Sequence, residues 1–222
     1  MTDKKQEQIL DIGGTYSKFE HWINENKTML TIVVGGLFLV VAGYLGFNKL
    51  YLQPKEDEAQ NQMFVAQKYF EKDSLNLALN GDKNYPGFLK IIDDYKWTKA
   101  ANLAHYYAGV IYLKQGKFDD AISYLEDFNG KDILVSGMAL NCLGDAYSEK
   151  GEMEKAIDNY KKAAYNHENE LTTPIFLKKA GMLLEKTGKK EEALKMYQEI
   201  SDKYPKSNEA RDIDKYIERT QG

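Results

Sequence analysis

The sequence predicts an all-α protein in which a single N-terminal transmembrane helix is followed by an α-solenoid of repeated helix pairs. Three observations lead there. No charged residue lies between Lys27 and Lys49. The chain as a whole is polar, with a mean hydropathy of -0.57 and 29% charged residues. Three segments after the apolar stretch share one spacing of glycines and alanine, with little proline to interrupt helices (4 in all).

Residues 1–27 form a polar stub, expected on the cytoplasmic side. Phe19, Trp22 and Ile23 stand there at helical spacing and fit an amphipathic lead-in at a membrane surface. Residues 28–48 (TMLTIVVGGLFLVVAGYLGFN) are the transmembrane helix. At about 1.5 Å per residue they reach roughly 31 Å, the thickness of a hydrocarbon core. A cleaved signal peptide would bring its apolar core nearer the N-terminus, although Val41-Ala42-Gly43 has the small residues of a cleavage site. A lipoprotein needs a cysteine just past the apolar core, and the single cysteine is Cys142. A buried helix of a soluble protein is the other alternative, but the flanking Lys27 and Lys49 fit a span better. Lysines 4, 5, 18 and 27 against lysines 49, 55 and 68 give a slight bias toward an inside N-terminus. Within the span, Gly35, Ala42 and Gly46, with Gly36 and Gly43 beside them, place small side chains on one stripe suited to close helix packing.

Residues 49–101 read as a linker and a degenerate helix pair. EDEAQNQMFVAQKYFEKD is the first helix, Asn80-Gly81-Asp82 a loop, and a second helix starts at Pro86. Then come AGVIYLKQGKFDDAISYL from Ala108, LGDAYSEKGEMEKAIDNYKKA from Leu143 and AGMLLEKTGKKEEALKMYQEI from Ala180. Each carries a first glycine (Gly109, Gly144, Gly181), a turn glycine seven later (Gly116, Gly151, Gly188) and an alanine beyond it (Ala121, Ala156, Ala193). A first glycine lets two helices approach, with the alanine expected opposite it. The turn glycine ends the first helix in the left-handed region.

This spacing resembles the tetratricopeptide repeat, and the frames are 102–135, 137–170 and 174–207, with residues 208–222 as a capping helix. About nine helices and no sheet are expected after the span. In such repeats positions two, five, nine and twelve of each first helix normally line the concave face. Here these are Leu103, Tyr106, Val110 and Leu113, then Met138, Asn141, Asp145 and Ser148, then Ile175, Lys178, Met182 and Glu185. Tyr106, Val110, Asn141, Asp145, Lys178 and Met182 are the candidate partner-binding residues. A mixed groove of this kind suits an extended peptide or a helix of a partner protein.

Catalytic chemistry has no counterpart in the spacing. His21, His105 and His167 stand apart from one another and from Cys142, and no phosphate-cradling glycine loop follows a strand. His105 and Cys142 read as packing residues. Asp119-Asp120 and Glu191-Glu192 read as charge at helix N-termini. No cofactor, metal or small-molecule substrate is expected, and a formal charge of -4 attracts no nucleic acid.

The layout of stub, span, degenerate pair and repeats is similar to the YfgM-like family. LKIIDDYKWTKAANLAHYYAGVIYLKQGKFDDAI looks like that family's junction between the degenerate unit and the first clear repeat. The resemblance implies a single-pass protein of the bacterial inner membrane with a periplasmic repeat domain. It also implies an ancillary role at the Sec translocon, with the channel, a membrane-tethered periplasmic chaperone and emerging polypeptides as partners. An envelope-assembly scaffold or homo-oligomer unconnected with Sec is the alternative.

Overall fold

The structure, a computed structural model, describes residues 12–130 and 132–221. They fall into two compact units, 1–54 and 55–222, taken here in turn.

The first unit holds α1 (Ile12–Glu25) and α2 (Lys27–Phe47), and then a π-helical turn, Asn48–Leu52. The 21 residues of α2 are long and apolar enough to cross a membrane, and none of its side chains is buried. At Asn26 the backbone leaves helical geometry (φ -103°, ψ 12°), while its side-chain amide donates to the Trp22 carbonyl at 2.8 Å. Such a side-chain bond to the preceding turn favours a bend.

The second unit is all helix among the described residues, apart from an isolated bridge between Gly81 and Pro86. It begins with α3 (Gln53–Glu71), α4 (Leu75–Asn80) and α5 (Phe88–Asp94). Three helix pairs follow: α6 (Lys99–Lys114) with α7 (Phe118–Asp127), α8 (Ile133–Glu149) with α9 (Met153–Asn166), and α10 (Thr173–Lys186) with α11 (Lys190–Lys203). A 3-10 turn, Glu209–Asp212, leads into α12 (Ile213–Gln221), which packs on α11. Ten α-helices therefore begin after residue 52, one more than the sequence predicts. The addition is α4. Its six residues carry no side-chain N-cap, and a helix so short does not hold in water alone. Burial of Ala78 and Leu79 against α5 and α6 stabilises it. The helix expected from Pro86 starts two residues later, at Phe88.

Local chemistry fixes where the first helices of the pairs begin. Thr98 Oγ1 accepts the Ala101 amide at 3.0 Å, and Asp132 Oδ1 accepts those of Leu134 and Val135 at 2.9 Å. These N-caps start α6 and α8 three and four residues upstream of the frames read from sequence. Glu56 of α3 also accepts the orphan amides of Lys99 and Ala100 at the start of α6. At the opposite ends, Gly116, Gly151 and Gly188 all have φ between 73° and 81°. The residue after each donates its amide to the carbonyl five positions back (Lys117 to Tyr112, Glu152 to Tyr147, Lys189 to Leu184), always at 2.9 Å. One closing turn is thus used three times.

The core forms two clusters. One runs from Ala59 of α3 to Ile111 of α6, and the other from Ala121 of α7 to Ile213 of α12. Tyr112 packs against both. The alanine expected opposite the first glycine meets it at Gly109, where the Ala121 carbonyl oxygen would lie 3.2 Å from an added Cβ, but in none of the three repeats is it the nearest neighbour. The nearest side chain is the one four residues after the alanine: Leu125 over Gly109, Tyr160 over Gly144 and Tyr197 over Gly181. A larger group on the second helix fills the notch that glycine leaves.

Candidate functional site

The first helices α6, α8 and α10 carry the residues expected to bind a partner, and the structure divides them into three groups. Tyr106 and Val110 are half-buried beside the second core cluster. The Tyr106 ring packs against Tyr107 and Phe128, with centroids 5.5 and 5.7 Å away, and burial pushes its hydroxyl up to about 12. It forms floor more than contact surface.

Asn141 and Asp145 belong to an internal network. The Asp145 carboxylate accepts the Tyr160 hydroxyl of α9 at 2.7 Å and both oxygens face Lys179 Nζ of α10 at 2.7 and 2.8 Å. Asn141 is buried, and its amide reaches Asp145 only at 3.4 Å. Burial together with the Asp145 carboxylate holds the Tyr160 hydroxyl neutral far above its ordinary range. One carboxylate therefore ties α8, α9 and α10 together.

Lys178 is also engaged. Its ammonium bonds Asp212 at 2.6 Å and lies 4.9 Å from the centre of the Tyr216 ring. Both partners belong to the C-terminal cap. Lys178 and Lys215 together hold the Asp212 carboxyl down to about 2. The partners stand 34 positions apart, one repeat length, as do Asp145 with Lys179 and Glu185 with Arg219, so opposite charges one period apart are the sequence signal that points to such pairs.

What remains open on this face is mostly apolar, with the half-buried Ser148 as a polar exception. Position two of the three pairs is Leu103, Met138 and Ile175, half-buried in the first and exposed in the other two, and Met182 is exposed further along α10. Phe64 of α3 is exposed as well, and with Met63, Gln67 and Leu103 it lines a cleft of about 320 Å³ between α3 and α6. Isolated exposed apolar side chains are ordinary on protein surfaces. Leu103, Met138 and Ile175 stand at one repeat position on three successive first helices.

The residues read as packing groups are placed accordingly. Cys142 is buried, and burial pushes its thiol up to about 11, so it stays protonated and unreactive at neutral pH. His105 is half-buried beside Tyr124, with ring centroids 5.8 Å apart, and burial lowers its pKa. Asp119 and Asp120 lie in the first turn of α7, and Glu191 and Glu192 in that of α11. Two of these acids also pair across repeats: Asp119 with Lys150, and Glu192 with Lys161 at 2.8 Å. Glu154 and Lys189 add a third such link at 2.6 Å. The described residues contain no group of three or more His, Cys, Asp or Glu that could hold a metal ion.

In the first unit the small residues of α2 are unburied, as is every other residue of that helix. A Cβ built on Gly35, Gly36, Gly43 or Gly46 meets nothing within 4 Å, and Ala42 is exposed.

Two tetratricopeptide-repeat family models match the chain, one over residues 93–130 and 106–170 and the other over 178–207. The helix pairs α6–α7, α8–α9 and α10–α11 lie almost entirely within these matches. The chain therefore carries tetratricopeptide repeats, which are protein-interaction modules typically without catalytic activity. No curated protein matches it.

Proposed function

We propose that this tetratricopeptide-repeat chain is a membrane-anchored adaptor that binds protein partners at the extracytoplasmic face of a bacterial inner membrane. The observation that carries the reading is the apolar row Leu103, Met138 and Ile175, continued by Met182, beside the charged groups Asp145 and Lys178, which are paired within the fold. A surface with its charges internally paired and its apolar side chains open recognises shape and apolar contacts, as in a partner helix or extended segment. Anchoring by α2 raises the local concentration of such a surface at the membrane, which compensates for modest affinity. The partner assignment rests on the similarity of layout to the YfgM-like family. On that basis the adaptor is an ancillary subunit of the Sec translocon, acting on emerging polypeptides beside a membrane-tethered chaperone, with its N-terminus inside.

The small residues Gly35, Ala42 and Gly46 of α2, suited to close helix packing, fit a second reading, an envelope-assembly scaffold or homo-oligomer held together through the membrane. Crosslinking in native membranes, purification of the full-length chain in mild detergent and mass spectrometry separate the two. Recovery of the Sec channel and a membrane-tethered chaperone supports the first. Their loss from the Met138→Asp, Ile175→Asp double variant would map chaperone binding to the repeats, whereas loss from Gly36→Leu, Gly43→Leu would map the channel to α2. Recovery of the chain alone, or with outer-envelope proteins, establishes the scaffold.

A further inference from the structure

We propose that α1 lies on the bilayer surface, with Phe19, Trp22 and Ile23 seated among the lipid headgroups and upper acyl chains. The inference rests on the reading of α2 as the membrane span. In α1 these three side chains are 59, 48 and 37% exposed, and the Phe19 and Trp22 rings stack with centroids 6.3 Å apart. At 3.6 residues per turn the three fall within about 100° of the helix circumference. Lys18, Glu20, His21, Asn24 and Glu25 occupy the rest of it, so one face is apolar and the remainder polar.

The occupant follows from connectivity. Only Asn26 separates α1 from α2, so a spanning α2 leaves the end of α1 at the membrane boundary. The non-helical backbone at Asn26 is the point at which an in-plane α1 would turn into a spanning α2. Tryptophan and phenylalanine have rings that partition into this zone, about 5–10 Å into the headgroup boundary. The polar face has Lys18 against Glu20 and Glu25, with no basic cluster. Attachment therefore depends on apolar area and not on anionic lipid, and it is insensitive to salt.

The chain has two tryptophans, Trp22 and Trp97, and Trp97 is 76% exposed. A full-length Trp97→Phe chain isolates the Trp22 signal, and a Trp22→Phe chain supplies a solvent-facing reference. Both are reconstituted into phosphatidylcholine vesicles carrying bromine either near the headgroup or at mid-chain. The expected result is Trp22 emission quenched more by the shallow bromines than by the deep ones, severalfold less accessible to acrylamide than Trp97, and unchanged in high salt. In Phe19→Glu the emission shifts to the red and acrylamide access rises. A chain that resists carbonate extraction while Trp22 is open to acrylamide and untouched by bromine overturns the inference and leaves the span intact. Shielding from both quenchers also overturns it, because protein and not lipid then covers the face. Release of the chain by carbonate overturns the spanning role of α2 and this inference with it.

Discussion

The Tyr160 ring lies directly over Gly144 while its hydroxyl donates to the neighbouring Asp145 at 2.7 Å. A Cβ on Gly144 would stand 2.5 Å from the Tyr160 Cδ1 and Cε1 atoms. Tyr197 repeats the arrangement over Gly181, with its hydroxyl donating to Glu185 at 3.1 Å.

Substituting Gly144 by alanine sets two effects against each other. Helix propensity favours alanine by about 1 kcal/mol, and overpacking costs about 1–3 kcal/mol. The ring cannot retreat without giving up its bond to Asp145, so the second effect wins and the variant unfolds at lower urea concentration. In a Tyr160→Ala background the obstacle is gone, and Gly144→Ala should become neutral or stabilising. A gain in stability in the otherwise unmodified chain would refute the account.

At Gly151 sterics are absent and backbone conformation decides. Its φ is 80° and an added Cβ meets nothing within 4 Å. Alanine there should cost about 1–2 kcal/mol through the left-handed region alone. Asparagine, which tolerates that region, should cost visibly less. Equal losses for the two substitutions in chemical denaturation would point away from conformational strain.

Asp145 offers a test of how a shared carboxylate divides its work. Removing it in Asp145→Ala deprives the mostly buried Tyr160 hydroxyl of its acceptor, worth about 1.5–3 kcal/mol for a bond to a charged group. Lys179→Met removes only a partly solvated ion pair, with the lysine 36% and the aspartate 31% exposed, and should cost under about 1 kcal/mol. A double-mutant cycle reads the coupling between them. A lysine variant as damaging as the aspartate variant would reverse the order of importance.

The cap should respond to acid. Asp212 ionises in the folded chain at about 2 against an ordinary 3.8, because Lys178 and Lys215 stabilise its carboxylate. A lowered folded pKa contributes stability that is complete above 3.8 and is lost as pH falls toward about 2. Pepsin, active in this range, should therefore release C-terminal fragments faster as the medium is acidified across that window. In Asp212→Asn release should already be fast at the upper end, and a parallel response in the two chains would exclude Asp212 as the titrating group.

The periodic features of this molecule were legible because they repeat. Gly116, Gly151 and Gly188 announced the turns, and their φ values of 73° to 81° bear that out. Features that depend on a single tertiary neighbour left no such trace. The helix α4 exists because Ala78 and Leu79 find α5 and α6, and its own six residues hold no signal. On the candidate binding face, position alone named Lys178 and Asp145, and coordinates reveal that Asp212, Tyr160 and Lys179 already satisfy them. Register tells which residues share a face, and opposite charges one period apart point to those that are spoken for.

The division of the interior at Tyr112 also orders events in time. A ribosome delivers α3 through α6 first, and those helices enclose their own cluster, from Ala59 to Ile111, before α8 is made. Every later pair is laid onto an existing template, and each leaves a fresh apolar end behind it. After α11 that end is covered where Ile213 of α12 is buried. An array without α12 presents an open apolar end, and the docking of that one short helix decides whether it stops or stays adhesive.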